Sequence, residues 1–278
     1  LFRNSMLINS LLSSSESLYH VEKKHIDKLE SCDKDLIVRL FSVPHTCSYE
    51  SIYLETGCIP IRFIIQGRRL MYFWTLLNKS DNELVKKVFG IQREFPSKND
   101  WILTVQEDMK SLDIDLSEET IRKMKKQAFK KLIKQKLKEK STEFLFNLKD
   151  KENRSKSKKL NTFDFQKYLL TDRLNTRQKK LLFSMRTRSV DVKTNYKSMY
   201  KFNMSCRLCK KEEDSEKHYL ECDEIINNID QSIDLTQAYY ENIFSSNLED
   251  QIIIIKIYDQ IFKTRNKLLH KKEACIKY

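Results

Sequence analysis

The fold class is decided by residues 121–140, which read IRKMKKQAFKKLIKQKLKEK. Apolar side chains recur here every three or four positions, the spacing that places them on one side of an α-helix. In chain order these are Ile121, Met124, Ala128, Phe129, Leu132, Ile133 and Leu137. Lysine and arginine supply ten of the twenty residues. The stretch predicts one continuous basic amphipathic helix.

On both sides of this stretch the apolar spacing is again helical, over residues 1–95, 163–183 and 248–269. Glycine and proline number only three each among 278 residues. Tight hairpins and glycine-rich loops need residues that accept positive φ, so their scarcity argues against sheets. We expect a mostly α fold with a helical N-terminal domain, a basic helix and linker, and a small helical C-terminal domain.

Composition suggests three segments, namely a helical domain at 1–120, the basic helix and linker at 121–160, and a helical region at 161–278. Residues 149–159 are polar and lack apolar periodicity, which predicts a mobile linker. Another apolar helix is predicted to open at Arg68 and to close at Gly90 and Pro96. Further helices are predicted to begin near Trp101 and within residues 116–120.

The chain carries a net charge of +13, and residues 121–159 alone hold 16 basic and 4 acidic residues. Such an excess of positive charge says little about the fold, but it favours a polyanion as the binding partner. The basic helix has almost no acids at i+4 to balance it, whereas phosphate binding would relieve its self-repulsion. A solvated face and a membrane-surface helix are the alternatives. The predicted nucleic-acid-binding lysines are Lys125, Lys126, Lys130, Lys131 and Lys134.

Several protein classes are not expected from this sequence. No stretch approaches the roughly 18 apolar residues that span a bilayer, and residues 1–5 have no features of a signal peptide. Seven cysteines, an odd number without a disulfide framework, fit a reducing compartment. We therefore expect an intracellular chain with no membrane partner. Because it begins at Leu1, we also expect it to be the downstream part of a longer reading frame.

One cluster of residues has the spacing of a metal site, Cys206-x2-Cys209-x8-His218-x3-Cys222. Three thiolates and one imidazole complete a tetrahedral zinc set, and a Cys-x2-Cys turn brings two sulfurs within about 2.3 Å of one ion. His218 and Cys222, four apart, are predicted on one face of a helix. With no coordination position left open, the Zn²⁺ is predicted to be structural, and no catalytic residue is assigned.

Two other interpretations of the cluster stay open at this point. The thiols could be unrelated cysteines near a surface histidine. The Cys-x2-Cys pair could also be a redox motif, although that role needs a βαβ context that this glycine-poor region does not suggest.

Several short motifs carry a resemblance to a known family. LFSMRTR at 182–188 is followed by NYK at 195–197 and by the cysteine and histidine cluster, which ends in HYLEC at 218–222. In this order they resemble the C-terminal region of non-LTR retrotransposon reverse transcriptases. Upstream, LETGCIPIR at 54–62 and RRLMY at 68–72 are similar to the stretch that follows the polymerase thumb in those proteins. The resemblance covers about residues 54–222.

The resemblance implies a parent RNA-directed DNA polymerase that copies element RNA into DNA at a chromosomal nick, and hence DNA integration in the nucleus. The finger, at about residues 200–225, would grip element RNA or target DNA, with its four matching residues as zinc ligands. Arg186 and Arg188 match a basic motif that touches phosphate. The implied partners are RNA or DNA and the polymerase core of the same polypeptide. The paired aspartates of the polymerase are not in these residues, so this segment is not expected to polymerise or cleave by itself.

A protein-interaction module with no nucleic-acid role is the alternative function. In that case the zinc finger and the apolar tail helix, with isoleucines at 252–255, would dock a protein partner. The positive charge would then serve only to keep the chain dissolved.

Overall fold

A computed structural model describes residues 3, 8–18, 21–41, 47–97, 100–151, 159–200 and 203–276. Within these ranges the backbone is mostly α-helical, and the β pairing is limited to one isolated antiparallel bridge between Ser205 and Glu213. The predicted mostly α fold is therefore confirmed. No helix in the described ranges has both the length and the apolar content needed to cross a membrane.

The α-helices are, in chain order, α1 (Asn9–Leu11), α2 (Lys23–Phe41), α3 (Tyr49–Thr56), α4 (Ile61–Leu77), α5 (Leu84–Glu94), α6 (Trp101–Ser111), α7 (Glu118–Lys123), α8 (Lys126–Lys151), α9 (Lys167–Leu170), α10 (Thr176–Arg186), α11 (Asp223–Ile226) and α12 (Leu248–Ile276). Short 3-10 turns are formed by Ser15–Ser17, Lys193–Tyr196, His218–Leu220, Leu235–Gln237 and Tyr240–Phe244.

The chain forms two compact units, each built from two stretches of sequence. The first unit comprises residues 1–36 and 58–148, and the second comprises residues 37–57 and 149–278. These units do not coincide with the segments drawn from composition. Residues 37–57 belong with the C-terminal part of the chain, and residues 121–148 belong with the N-terminal part.

The first unit is centred on α4, whose apolar side packs against α5, α6, α7 and α8. Trp101 contributes an edge-to-face contact with Tyr72, with ring centroids 5.6 Å apart. Arg69 on α4 reaches Asp108 on α6 with Nε 2.6 Å from Oδ2, and both side chains are buried. Gly67 lets α8 approach closely, because a Cβ there would lie 2.6 Å from Leu137 Cδ1.

The basic helix differs from its prediction, because it is interrupted at Met124. The backbone of Met124 is extended (φ −71°, ψ 137°), so α7 ends at Lys123 and α8 begins at Lys126. Trp74 Nε1 donates a hydrogen bond of 3.1 Å to the Met124 carbonyl. In a continuous helix that carbonyl would instead accept from the amide four residues later. The half-buried side chain of Trp74 therefore stabilises the break.

The apolar stripe of the basic segment is largely confirmed by burial. Ile121, Phe129, Ile133 and Leu137 are buried, whereas Ala128 is exposed. The predicted linker begins later than expected, because α8 continues through Lys151. Residues 152–158 of that linker lie outside the described residues.

The predicted helix from Arg68 to Gly90 is two helices, α4 and α5, joined by the turn at 78–83. Lys86 stabilises the C-terminus of α4, since its Nζ donates hydrogen bonds to the carbonyls of Leu76 (2.9 Å) and Leu77 (3.0 Å). These carbonyls lack partners in the helix itself, and a basic side chain satisfies them. Helix starts near Trp101 and at 116–120 are confirmed by α6 and α7.

Gly90 lies inside α5 rather than at its end, with open space where a Cβ would stand. Its φ is not positive, so an L residue fits without strain. Gly90→Ala is therefore expected to raise the free energy of unfolding by about 0.5–1 kcal/mol, since alanine loses less backbone entropy in a helix. Urea denaturation followed by circular dichroism measures this change. A lower stability in the variant would show that α5 does not have this structure.

The second unit is built around α12, whose apolar side chains are buried as predicted. Ile254, Ile255 and Tyr258 are fully buried, and Ile252 and Phe262 nearly so. Ile253 is 38% exposed, and Leu248 and Leu269 at the two ends of the predicted stripe are half-buried. The apolar side of the tail helix thus packs within its own unit.

Candidate metal centre and basic groove

The predicted metal ligands come together in the second unit. One ligand atom from each of Cys206, Cys209, His218 and Cys222 lies within 4.8 Å of every other. Around a tetrahedral ion with bonds of about 2.3 Å, sulfurs are about 3.8 Å apart, so a small contraction closes the set on one metal. Three of the residues are buried and Cys209 is half-buried.

The first two thiols are held by a tight turn between residues 204 and 214. The amide of Cys206 donates to the Glu212 carbonyl at 2.6 Å, and the amide of Leu208 points at Cys206 Sγ at 3.4 Å. Lys210 closes the turn with a left-handed φ of 63° and donates its amide to the Cys206 carbonyl. Amides directed at sulfur stabilise a thiolate, so the turn prepares the ligands.

The other two ligands do not share one helix face, contrary to prediction. His218 begins the 3-10 turn His218–Leu220, and Cys222 is the residue before α11. The backbone becomes extended at Cys222 (φ −72°, ψ 111°), so the helical path is broken between them. Both side chains still converge on the cluster, since their ligand atoms lie within 4.8 Å of each other and of the first two thiols.

The imidazole of His218 is oriented by Glu212. His218 Nε2 lies 3.3 Å from Cys209 Sγ, and Nδ1 lies 3.0 Å from Glu212 Oε2. A carboxylate can only accept, so a neutral imidazole carries its proton on Nδ1 and turns the Nε2 lone pair toward the thiols. A carboxylate behind a metal-binding histidine is a frequent arrangement. The sequence prediction treated Glu212 only as part of a polar loop.

The three thiols have different proton affinities before any metal binds. Burial raises the pKa of Cys206. Burial and the negative charge of Cys206 raise the pKa of Cys222 to about 12. At Cys209 burial also favours the thiol, but hydrogen bonds from the amides of Lys211 and Glu212 lower its pKa to about 7. A metal must therefore displace protons from the two buried thiols, which makes its binding stronger as pH rises.

The finger rests on α12 through polar contacts that sequence reasoning missed. Tyr258 donates its hydroxyl to the Glu216 carbonyl at 2.9 Å, and Arg265 Nε donates to the Tyr219 hydroxyl at 2.7 Å. Lys272 Nζ donates to the Leu208 carbonyl at 2.8 Å. These contacts join α12 to the finger on the same unit. Of the isoleucines at 252–255, on which a protein-interaction role for the tail helix depended, only Ile253 keeps an exposed surface.

Arg186 is an interior residue, whereas the family resemblance implied that it touches phosphate. It is 4% exposed, and its Nε lies 2.5 Å from Glu55 Oε1. Nη1 donates to the Ile243 carbonyl at 2.6 Å and Nη2 to Gln166 Oε1 at 3.2 Å. Because all three nitrogens are engaged inside the unit, the guanidinium is not available to a phosphate in this arrangement.

Glu55 is the partner that explains this burial. It is fully buried and also accepts a 2.6 Å hydrogen bond from the Tyr168 hydroxyl. Burial raises the pKa of Glu55 even though Arg186 and Tyr168 favour its charged form. Sequence reasoning did not find this group, since Glu55 and Arg186 are 131 residues apart.

Arg188 is half-buried, with a left-handed φ of 49°. It faces Tyr240 and Glu216. Burial and the negative charge of Glu216 raise the pKa of Tyr240 to about 12, and Arg188 opposes that rise. Arg188 therefore has partners inside the second unit, and part of its surface reaches solvent.

The predicted lysines are all exposed, and they belong to the first unit. Within the described part of the chain none of the five forms an ion pair or a side-chain hydrogen bond. Three of them, Lys126, Lys130 and Lys134, line a groove of about 500 Å³ between α4 and α8. The rest of its lining is formed by Glu16, Ile64, Gly67, Arg68, Met71, Tyr72, Thr75, Ile133 and Leu137.

The groove therefore has a row of unpaired cations on one wall and a largely apolar floor. The four predicted metal ligands belong to the second unit, whereas the predicted lysines belong to the first. Comparison of the chain with protein-family models, with curated proteins and with solved structures found no match.

Proposed function

We propose that this chain binds nucleic acid as the C-terminal segment of an RNA-directed DNA polymerase of the non-LTR retrotransposon type, and that one structural zinc ion shapes its finger. The observation that carries the nucleic-acid role is the row of exposed, unpaired lysines along the groove on α8. The motif resemblance described above supports the parent polymerase.

The lysine row has the charge pattern that a phosphate backbone requires. Residues 120–138 contain nine lysines and arginines and no acidic residue. Lys126, Lys130 and Lys134 follow one another at four-residue intervals, which is a step of about 6 Å along the helix. Neutralising phosphates releases condensed counterions, and this entropy gain offsets the repulsion among the lysines.

The floor of the groove offers a place for bases. Tyr72 is half-buried and lines the groove together with Met71 and Ile133. Bases stack on aromatic and apolar side chains without strong sequence preference. A single strand with its phosphates along α8 therefore uses both walls of the groove.

The donor set of the finger favours zinc among the common metals. Three thiolates and an imidazole suit a borderline-soft ion with tetrahedral geometry. All four positions come from the protein, which leaves none for water or substrate. The ion would therefore hold Cys206 and Cys209 to His218 and Cys222 and stabilise the finger, without taking part in a reaction.

Titration of a single-stranded oligonucleotide at several salt concentrations tests the nucleic-acid role. For the unchanged chain, the logarithm of the association constant is expected to fall linearly with the logarithm of salt concentration. Replacing Lys126, Lys130 and Lys134 together with glutamine should reduce the slope by roughly two, since each lost phosphate contact in a single strand contributes about 0.7.

The matched control replaces three exposed lysines outside the groove, Lys110, Lys167 and Lys267, with glutamine. It removes the same charge, so it separates a local contact from a general effect of net charge. Equal loss of slope in the two triple variants, or a flat plot for the unchanged chain, would rule out the groove as the binding surface.

A further inference from the structure

Helix α5 carries a stripe of exposed apolar side chains on one face. The stripe consists of Leu84, Val88, Ile91 and Phe95, which follow one another at intervals of four, three and four residues. This spacing places side chains on one face of a helix, and Phe95 is the residue directly after α5. They are exposed by 77%, 48%, 61% and 76% of their surfaces. Phe89, on the other side of α5, is buried in the core of the first unit.

Such a helix is apolar on two sides, although only one side is needed for folding. Isolated exposed apolar residues are common on protein surfaces, but four in one row form a contiguous patch. Leaving each in water forgoes the gain that burial would give. The row therefore has the composition of a contact surface.

The charges beside the row indicate what covers it. Lys87 and Glu94 lie on one flank of the stripe, and both are exposed. Neither forms an ion pair with any residue of the described ranges. Their neighbours differ, because Glu83 pairs with Lys79 and Arg93 pairs with Glu118 within the chain.

We propose that α5 pairs with α5 of a second copy of this chain, in antiparallel orientation about a two-fold axis between Val88 and Ile91. That symmetry places Leu84 opposite the second copy's Phe95 and Val88 opposite its Ile91. It also brings Lys87 beside the Glu94 of the other copy, and the symmetric pair repeats the contact. The stripe and its charged flank on one copy are thus complementary to the same surface of the second copy.

The small size of this surface limits the affinity of the dimer. An eleven-residue helix is about 16 Å long, so the contact is smaller than the roughly 800 Å² per partner of a standard interface. The dimer is therefore weak and depends on concentration. Association of this kind does not require nucleic acid, and it is independent of the proposed function.

Sedimentation equilibrium of nucleic-acid-free protein tests the proposal. The average mass should rise with concentration from 33.4 kDa toward twice that value. Ile91→Lys places a charge at the centre of the stripe and should keep the chain monomeric. Leu170→Lys changes an equally exposed apolar residue on α9 and should leave the dimer intact.

A charge swap tests the antiparallel register. Lys87→Glu turns two attractive contacts into two repulsive ones and should raise the dissociation constant about tenfold, and adding Glu94→Lys should restore it. Lys110→Glu, on α6, is the control of equal charge. The proposal is overturned by a chain that stays monomeric at several hundred micromolar, by an Ile91→Lys variant that dimerises normally, or by a double swap that does not recover.

Discussion

Replacing Cys209 with serine is expected to remove the bound zinc and to unfold the finger. A serine hydroxyl is not deprotonated by zinc as readily as a thiol, so only three ligands remain. Structural zinc sites of this kind supply about 10–16 kcal/mol of apparent binding free energy, which is coupled to folding. Losing one ligand of the four should therefore reduce the metal content from one ion per chain to a small fraction in the presence of a chelator.

Elemental analysis after dialysis and hydrogen exchange of residues 203–226 measure both effects. Exchange should quicken in the finger and at the contacts of Leu208 and Tyr219 with α12, while the first unit stays protected. Cys32→Ser is the control, because that thiol is exposed and lies outside the cluster. Stoichiometric zinc in the Cys209→Ser protein would contradict the assignment of Cys209 as a ligand.

Replacing Arg186 with leucine is expected to lower the free energy of unfolding of the second unit by about 3–5 kcal/mol. The change leaves the carboxylate of Glu55 fully buried without its counter-ion. Breaking a buried pair by removing one partner has a cost of this size, because the remaining charge is not solvated. Nucleic-acid affinity of the folded variant should change little, since Arg186 does not face solvent.

The effect of Arg186→Leu should depend on pH in a definite direction. The pKa of Glu55 already lies above its ordinary value of 4.5, and removing Arg186 raises it further. A carboxyl with a raised pKa in the folded state favours folding when it is protonated, and this contribution is lost as pH rises through that pKa. The difference in stability between the two proteins should therefore be largest at neutral pH and shrink as pH falls toward 4.5.

Urea denaturation of both proteins at a series of pH values measures this dependence. Arg173→Leu is the control, because the pair between Arg173 and Glu249 lies on the surface of the same unit. Such exposed pairs contribute little to stability. An Arg186→Leu variant as stable as the control variant, or one with a constant deficit at every pH, would argue against the buried pair.

The candidate metal cluster could be predicted because its four residues are close together in the sequence. All four fall within 17 residues, and the spacing of Cys206 and Cys209 alone fixes a turn that a metal can close. The orienting role of Glu212 follows from the same loop. It was missed because an acidic residue in a polar loop is usually solvated. Only the 3.0 Å distance to His218 Nδ1 distinguishes a carboxylate that orients the histidine from a solvated one.

The interior role of Arg186 could not be predicted from its neighbours. Its partner Glu55 lies on α3, and the stretch at 37–57 joins the second unit only through folding. The same holds for the break in the basic helix, because Trp74 and Met124 are 50 residues apart. Periodicity reports which side chains share a face, whereas contacts of this kind depend on which faces meet.

The position of the basic surface could be predicted in part. The lysines of α8 were expected on the outer side of an amphipathic helix, and they are there. Their arrangement along a groove with Tyr72 could not be derived, since it depends on the close approach of α4 to α8 at Gly67. Composition therefore predicts only that a partner would be negatively charged. The course that such a partner would follow over the surface depends on how α4 and α8 pack.

X-ray absorption at the zinc edge of the purified protein tests the central claim most directly. We predict one zinc ion per chain with three sulfur neighbours at about 2.3 Å and one nitrogen neighbour at about 2.0 Å. A chain that takes up no stoichiometric zinc, or an ion surrounded only by oxygen and nitrogen, would contradict the claim that Cys206, Cys209, His218 and Cys222 form a metal centre.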